Sequence, residues 1–155
     1  MPPSRSSRRT RWIGSATPCL AGPWPGRACP LGEVEDLLAA AEEALEAARV
    51  LVGQGFYPDA VSRAYYAMLH AARAALASRD IAAKTHGGAL RRIREVFVEP
   101  RLLPAEVTTA FGRAMELRAL ADYSAALRPG RKDAETVLRD AERFIEAVRN
   151  LLARG

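Results

Sequence analysis

The sequence predicts an all-α protein, an antiparallel up-and-down bundle of about five helices, and three observations lead to this prediction. Apolar residues make up 49% of the 155 residues and aromatic residues only 6%, so most of the apolar content is Ala, Leu and Val. Such a composition favours helices that pack closely through small side chains. From residue 31 onward the apolar residues recur at helical spacing, and no segment alternates as a strand does. The breaks between these periodic segments are short, which favours helices that run up and down a bundle.

The first two predicted helices have different apolar surfaces. The first runs from about Glu33 to Val52, with acidic residues near its N-terminus where the helix dipole favours them, and Gly53 and Gly55 end it. The second runs from about Asp59 to Ser78 and has two apolar sides, of which one consists of alanines that let another helix approach closely. The large side holds Val61, Tyr65, Met68, Leu69, Ala72 and Leu76, and the alanine side holds Ala60, Ala64, Ala67, Ala71, Ala74 and Ala75.

Three further helices are predicted from the same apolar spacing. The third runs from about Ala89 to Val98, and the fourth runs from Pro104, a favourable first-turn residue, to about Tyr123. Pro129 and Gly130 break the chain before a fifth helix from about Lys132 to Leu152. One stripe of the fifth helix holds Ala134, Val137, Leu138, Ala141, Phe144, Ile145, Val148 and Leu151.

The chain divides into a basic extension, residues 1–30, and a helical domain, residues 31–155. The extension is rich in Pro, Gly, Ser and Arg and has no helical or strand period, so we predict that it is disordered. It contains five of the 23 basic residues and no acidic residue, which accounts for the net charge of +5. The domain is therefore neutral overall, but residues 59–132 are basic and either contact phosphate or form a solvated face.

Cysteine usage and the lack of targeting signals limit the classes of protein. Cys19 and Cys29 both lie in the extension, and no CxxC pattern is present, so we predict no metal site, no cofactor and no disulfide framework. No segment is long and apolar enough to cross a membrane, and no export signal is recognised. We therefore expect a cytoplasmic protein that does not contact a membrane.

The polar arc of the second helix is the first candidate site. Arg63, Tyr66, His70 and Arg73 fall together on this arc of the helical wheel. Arg63 and His70 stand about 10 Å apart along the helix axis, too far for a direct pair but close enough to contact one extended ligand. The alternative is a polar strip on the surface of a packing helix.

Two more polar groups lie in the second half of the domain. Arg118 falls on the apolar side of the fourth helix, and Asp122, four residues later, is its expected ion-pair partner. One interpretation is that this ion pair stabilises the end of the helix. The other is that Arg118, oriented by Asp122, binds an anion, and that Tyr123 contributes its aromatic ring or its hydroxyl to the same site. Lys84 and His86 flank Thr85, a candidate helix cap, and are either loop residues or members of a site.

Several segments together resemble a known family. In order, they are SRAYYAMLHAARAAL, KTHGG, FVEPRLLP, ELRALADY and DAERFIEAVRNLL. These segments resemble the HEPN superfamily, the helical "higher eukaryotes and prokaryotes nucleotide-binding" domains, and fit best its small stand-alone prokaryotic branch. The resemblance covers residues 33–153. It implies an antiparallel helical bundle that often dimerises, binds nucleotide or RNA, and is often encoded beside a small nucleotidyltransferase in toxin–antitoxin or defence pairs.

The resemblance also implies where catalysis would occur, and here this sequence departs from the family pattern. Catalytic members carry an Arg followed a few residues later by a His, whereas here Arg118 is followed by Asp122 and Tyr123. A tyrosine hydroxyl is a poor base at neutral pH, and an aspartate beside phosphate would repel it. His70 or His86 would have to supply the missing imidazole. A metal-independent endoribonuclease is therefore the alternative, with Arg118, His70 and His86 as its candidate catalytic residues.

We accordingly predict a binding module that takes RNA or a nucleotide, or docks a nucleotidyltransferase, and that forms a homodimer. The candidate binding residues are Arg63, Tyr66, His70, Lys84, His86, Arg118, Asp122 and Tyr123. The alternatives are an active endoribonuclease toxin and a module that binds only protein.

Overall fold

A computed structural model of the chain describes residues 30–155. It contains α1 (Pro30–Gly53), α2 (Tyr57–Ala77), α3 (His86–Ile93), a π-helical segment (Arg94–Val98), α4 (Ala105–Tyr123) and α5 (Arg131–Arg154). No strand occurs among these residues, and the predicted all-α bundle is confirmed. The prediction of a disordered extension falls, apart from Pro30, outside the described residues and stays a prediction.

Helix α2 is the centre of the bundle and packs against each of the other four helices. Both apolar sides predicted for it are buried, and none of their residues is more than 1% exposed. The alanine side lets α1 lie close to α2, because a methyl group adds little thickness between two helix axes. The polar arc is the remaining part of the α2 surface, so the fold leaves this arc facing outward at the edges of α1, α3 and α4.

Three of these segments end in the same way, with a residue in the left-handed conformation. After α1, Gly55 has φ +83, and the amides of Gly55 and Phe56 donate back to the carbonyls of Val52 and Leu51. The same pair of hydrogen bonds follows α2 at Asp80, with φ +57, and the π-helical segment at Arg101, with φ +62. These turns make the connections short.

The third helix differs from its prediction. It begins at His86 rather than Ala89, and from Arg94 it continues as a π-helix in which the Glu99 amide donates to the Arg94 carbonyl at 2.9 Å. Leu90, Ile93 and Phe97 are nevertheless buried, as the spacing predicts. Pro104 also differs, because it precedes the first residue of α4 with an extended backbone and is not in the first turn.

Helix α5 is fastened to its neighbours by apolar packing and by ion pairs. Its Phe144 ring lies 5.4 Å from the ring of Phe111 of α4, and both are fully buried. Ion pairs join Asp140 to Arg113 of α4, Glu142 to Arg49 of α1, and Arg149 to Glu42 of α1. None of the described helices combines the length and the apolar character that crossing a membrane requires.

Candidate functional site

The guanidinium of Arg118 lies over two adjacent tyrosines of α2. Its central carbon is 5.4 Å from the ring centre of Tyr65 and 5.0 Å from that of Tyr66, both within the range of a cation–π interaction. Asp122 accepts an ion pair from the same guanidinium at 3.3 Å, which confirms the pairing predicted from their spacing. The Arg118 side chain remains 27% exposed, so a ligand can still reach it.

His86 stands beside the same two tyrosines because it is the first residue of α3. Its ring lies 5.7 Å from the Tyr65 ring and 6.0 Å from the Tyr66 ring, edge-on to the latter. The predicted cap is present: the Thr85 hydroxyl accepts a hydrogen bond from the Gly88 amide at 3.0 Å. A Cβ on Gly88 would lie 2.7 Å from that hydroxyl oxygen, so Gly88 gives room to the cap and not a special backbone conformation.

Arg73 is a site residue that the sequence analysis placed on the polar arc but did not include in the site. It lies one turn of α2 beyond His70, and after burial its charge helps to lower the pKa of both His70 and His86. Its Nε is buried and has no hydrogen-bond partner among the described residues. A buried guanidinium N–H without a partner costs free energy, so the polar groups of Arg73 are only partly satisfied within the described residues.

Arg73, Arg118, His86, Tyr65 and Tyr66 thus form one group, which we call the Arg118 cluster. Three of its five side chains carry or can carry positive charge. Burial lowers the pKa of His86, and the charges of Arg118 and Arg73 lower it further, so its imidazole is neutral at neutral pH. Asp122 is the one carboxylate paired with the cluster within the described residues, which leaves an excess of positive charge.

Tyr65 has a buried hydroxyl with no hydrogen-bond partner among residues 30–155. Its side chain is fully buried, and burial raises the pKa of the hydroxyl although the charge of Arg118 acts in the opposite direction. The sequence analysis treated Tyr65 only as a core residue. No sequence signal distinguishes its role, because the missing partner depends on how α3 and α4 meet α2.

We expect Tyr65→Phe to stabilise the ligand-free protein by about 1 kcal/mol, because it removes a buried hydroxyl that has no partner. The same change is expected to leave the binding of an anion at the cluster nearly unchanged, because a ligand cannot reach a fully buried hydroxyl. Urea denaturation measures the first effect. A loss of stability in Tyr65→Phe would instead mean that the hydroxyl is hydrogen-bonded in solution. The matched control is Tyr57→Phe, at a half-buried tyrosine outside the cluster.

The predicted Arg63, Tyr66 and His70 face lines a groove between α1 and α2. The other residues lining the groove are Ala40, Glu43, Ala44 and Ala47, and we call it the α1–α2 groove. His70 has a buried Nδ1 without a partner among the described residues, and burial and the charge of Arg73 lower its pKa. Tyr66 belongs both to this groove and to the Arg118 cluster, so the two are adjacent.

Two residues proposed from the sequence are not brought into contact with the cluster. Tyr123 is 90% exposed, and Lys84 is exposed in the segment before α3. Neither makes a hydrogen bond or an ion pair within the described part of the chain. The place where the family pattern has a histidine is therefore a solvent-facing tyrosine, and the imidazole nearest to Arg118 belongs to His86.

The described residues form a helical bundle with a positively charged cluster beside its central helix, and comparison with known proteins supplies the family. The model of the HEPN domain matches residues 34–151. The chain therefore belongs to the HEPN family, which confirms the resemblance found in the sequence motifs.

Named relatives and a solved structure agree with this assignment. The chain is 32% identical to "Putative toxin MJ0605" of Methanocaldococcus jannaschii over 120 residues, which cover 77% of this chain and 89% of that protein. It is 33% identical to a UPF0332 protein of Gloeobacter violaceus over 122 residues, 78% of this chain and 97% of that one. The crystal structure of TT1696 from Thermus thermophilus has the same fold, with a TM-score of 0.66, 21% identity, and coverage of 77% of this chain and 98% of that one.

Proposed function

We propose that this protein is a HEPN module that binds RNA or a nucleotide through the Arg118 cluster. The observation that carries the proposal is the convergence of Arg118 and His86 on one tyrosine pair, with a single paired carboxylate among the described residues. The charge of Arg73 also acts on His86. Phosphate oxygens accept hydrogen bonds from guanidinium groups in a planar, bidentate geometry. Tyr66 is only half-buried, so its ring can also contact a base. The relatives named as putative toxins support a toxin-like role for such binding.

The two histidines provide a direct test, because the chain contains only these two. We expect a short single-stranded RNA to shift the imidazole NMR signals of His86, and to raise its pKa, because phosphate charge offsets the charges of Arg73 and Arg118. The sign follows from the free protein, in which those charges lower the pKa of His86. His70→Gln in the full chain assigns the two signals. If RNA binds but neither signal moves, binding occurs elsewhere, for example at the five arginines of residues 1–30, and the proposal is wrong.

A second candidate function is a metal-independent endoribonuclease, and the position of His86 favours it. His86 places a neutral imidazole beside the tyrosines that Arg118 covers. In this mechanism His86 of α3 would be the general base, and Arg118 of α4 would be the cation that binds the phosphate. Cleavage of RNA in the presence of EDTA that disappears in His86→Ala would establish this activity. If the wild-type chain does not cleave RNA under those conditions, the endoribonuclease proposal is wrong and only the binding function stands.

The C-terminal end of α4 supports a protein partner, which we propose to be a second copy or a small nucleotidyltransferase. Leu120, Tyr123 and Leu127 are 43%, 90% and 69% exposed, and all three come within nine residues after Arg118 along the chain. Apolar side chains exposed together are typical of interfaces. Light scattering of the full chain distinguishes the two cases. A mass of two chains supports a homodimer, and the mass of a single chain supports a different protein, the nucleotidyltransferase, as the partner.

A further inference from the structure

The α1–α2 groove is large enough to hold a small ligand. Its volume is about 520 Å³, and it is the groove lined by Ala40, Glu43, Ala44, Ala47, Arg63, Tyr66 and His70. The three alanines, at positions 40, 44 and 47, form a floor of methyl groups on α1. The ring of Tyr66 stands at the boundary with the Arg118 cluster, so a ligand in the groove is next to the phosphate-binding groups.

Glu43 and Arg63 line this groove without forming an ion pair. The neighbouring acidic residues of α1 are paired, Glu42 with Arg149 and Glu46 with Arg49. By contrast, Glu43 and Arg63 have no ion-pair partner within 4.0 Å among the described residues, although both face the same groove. Two opposite charges held apart in one groove match a ligand that has acceptors on one edge and donors on the adjacent edge.

Guanine is the nucleobase with that arrangement. Its O6 and N7 accept the two N–H groups of an arginine, and its N1–H and N2–H₂ groups donate together to a carboxylate. Adenine would present its unprotonated N1 to the carboxylate and its amino group to the arginine, and both contacts are unfavourable. A planar purine also matches the flat alanine floor and can lie against an aromatic ring.

We propose that the α1–α2 groove is a guanine subsite, in which Glu43 accepts from N1–H and N2–H₂ and Arg63 donates to O6 and N7. The phosphate of the same nucleotide lies at the Arg118 cluster, on the other side of Tyr66. This inference rests on the proposed function of the Arg118 cluster and adds to it the identity of the base and the role of Glu43.

The test compares 5′-GMP with 5′-AMP in calorimetric titrations of the full chain. We expect GMP to bind at least about tenfold more tightly than AMP, as a bidentate base contact provides. Glu43→Gln is expected to reduce this preference several-fold without abolishing it, because the neutral amide presents a donor as readily as an acceptor while Arg63 still favours O6 and N7 of guanine. Glu35→Gln is the matched control: it removes the same charge from an exposed position of α1 outside the groove, and should keep the full preference.

The outcomes separate this inference from the function on which it rests. Equal affinity for GMP and AMP in the wild-type chain, with both weakened by Arg118→Ala, overturns the guanine subsite and leaves the phosphate site. A preference for GMP that Glu43→Gln leaves undiminished also overturns it. If neither nucleotide binds and RNA leaves the His86 signal unmoved, both proposals are wrong.

Discussion

Arg118→Ala is expected to weaken the binding of single-stranded RNA by roughly 10- to 150-fold, the equivalent of about 1.5–3 kcal/mol for a hydrogen bond to a charged group. Arg118 is the one residue that contacts both tyrosines and Asp122, and its side chain is partly exposed to a ligand. Removing one phosphate contact should also reduce the slope of log affinity against log salt by about 0.7. Fluorescence polarisation of a labelled RNA between low and moderate salt measures both quantities.

Two control variants show whether charge or geometry is responsible. Arg143→Ala removes the same charge from an exposed position on α5 that has no ion pair within the described residues, so it should change affinity by less than about twofold. Arg118→Lys keeps the charge but loses the planar group that lies over the tyrosines, so an intermediate loss is expected. Equal losses in Arg118→Ala and Arg143→Ala would mean that RNA responds only to net charge.

The helices could be predicted from the sequence because their signals are local. Apolar spacing and the glycines and prolines between segments placed the ends of α2, α4 and α5 within about two residues. The left-handed conformations of Asp80 and Arg101 were not predicted, because neither residue is a glycine, the residue type that usually indicates this conformation in a sequence. The π-helical segment was missed for a related reason: its backbone hydrogen bonds shift by one residue while the apolar spacing still fits an α-helix.

The site was predictable only where its members lie on one helix. The pairing of Arg118 with Asp122 follows from a spacing of four, and the shared face of Arg63 and His70 follows from the helical wheel. The roles of Arg73 and Tyr65 depend instead on the arrival of α3 and α4 beside α2. Tertiary packing decides which polar atoms are buried without a hydrogen-bond partner, and the periodic pattern of a sequence does not contain this information.

A continuous series of aromatic rings connects this site to the core of the bundle. Phe144 contacts Phe111 at 5.4 Å between ring centres, Phe111 contacts Tyr65 at 5.7 Å, and Tyr65 contacts Tyr66 at 5.5 Å. Since Arg118 lies over the last two rings, its position depends on the packing beneath them. The site therefore has a rigid base although the residues that would meet a ligand lie at the surface.

Phe111→Ala tests this dependence and is expected to have the largest effect on stability. The ring is fully buried between Phe144 and Tyr65, so its removal should cost about 3–5 kcal/mol, a large part of the roughly 5–15 kcal/mol that stabilises a domain. The cavity would lie directly beneath Tyr65 and let its ring move, so RNA affinity should fall as well. Urea denaturation followed by circular dichroism gives the first quantity, and RNA titration without denaturant gives the second.

Two other phenylalanines separate the contribution of the core from that of the site. Phe144→Ala should cost a similar free energy of unfolding, because that ring is equally buried, but it lies one ring farther from Tyr65 and should leave RNA affinity nearly unchanged. Phe56→Ala, at a ring that is 53% exposed, should cost about 1 kcal/mol or less. If Phe111→Ala and Phe144→Ala reduced RNA affinity equally, general loosening of the bundle would explain the loss. A specific loss in Phe111→Ala would show that this ring, which lies against Tyr65 and on the helix that carries Arg118, positions the cluster.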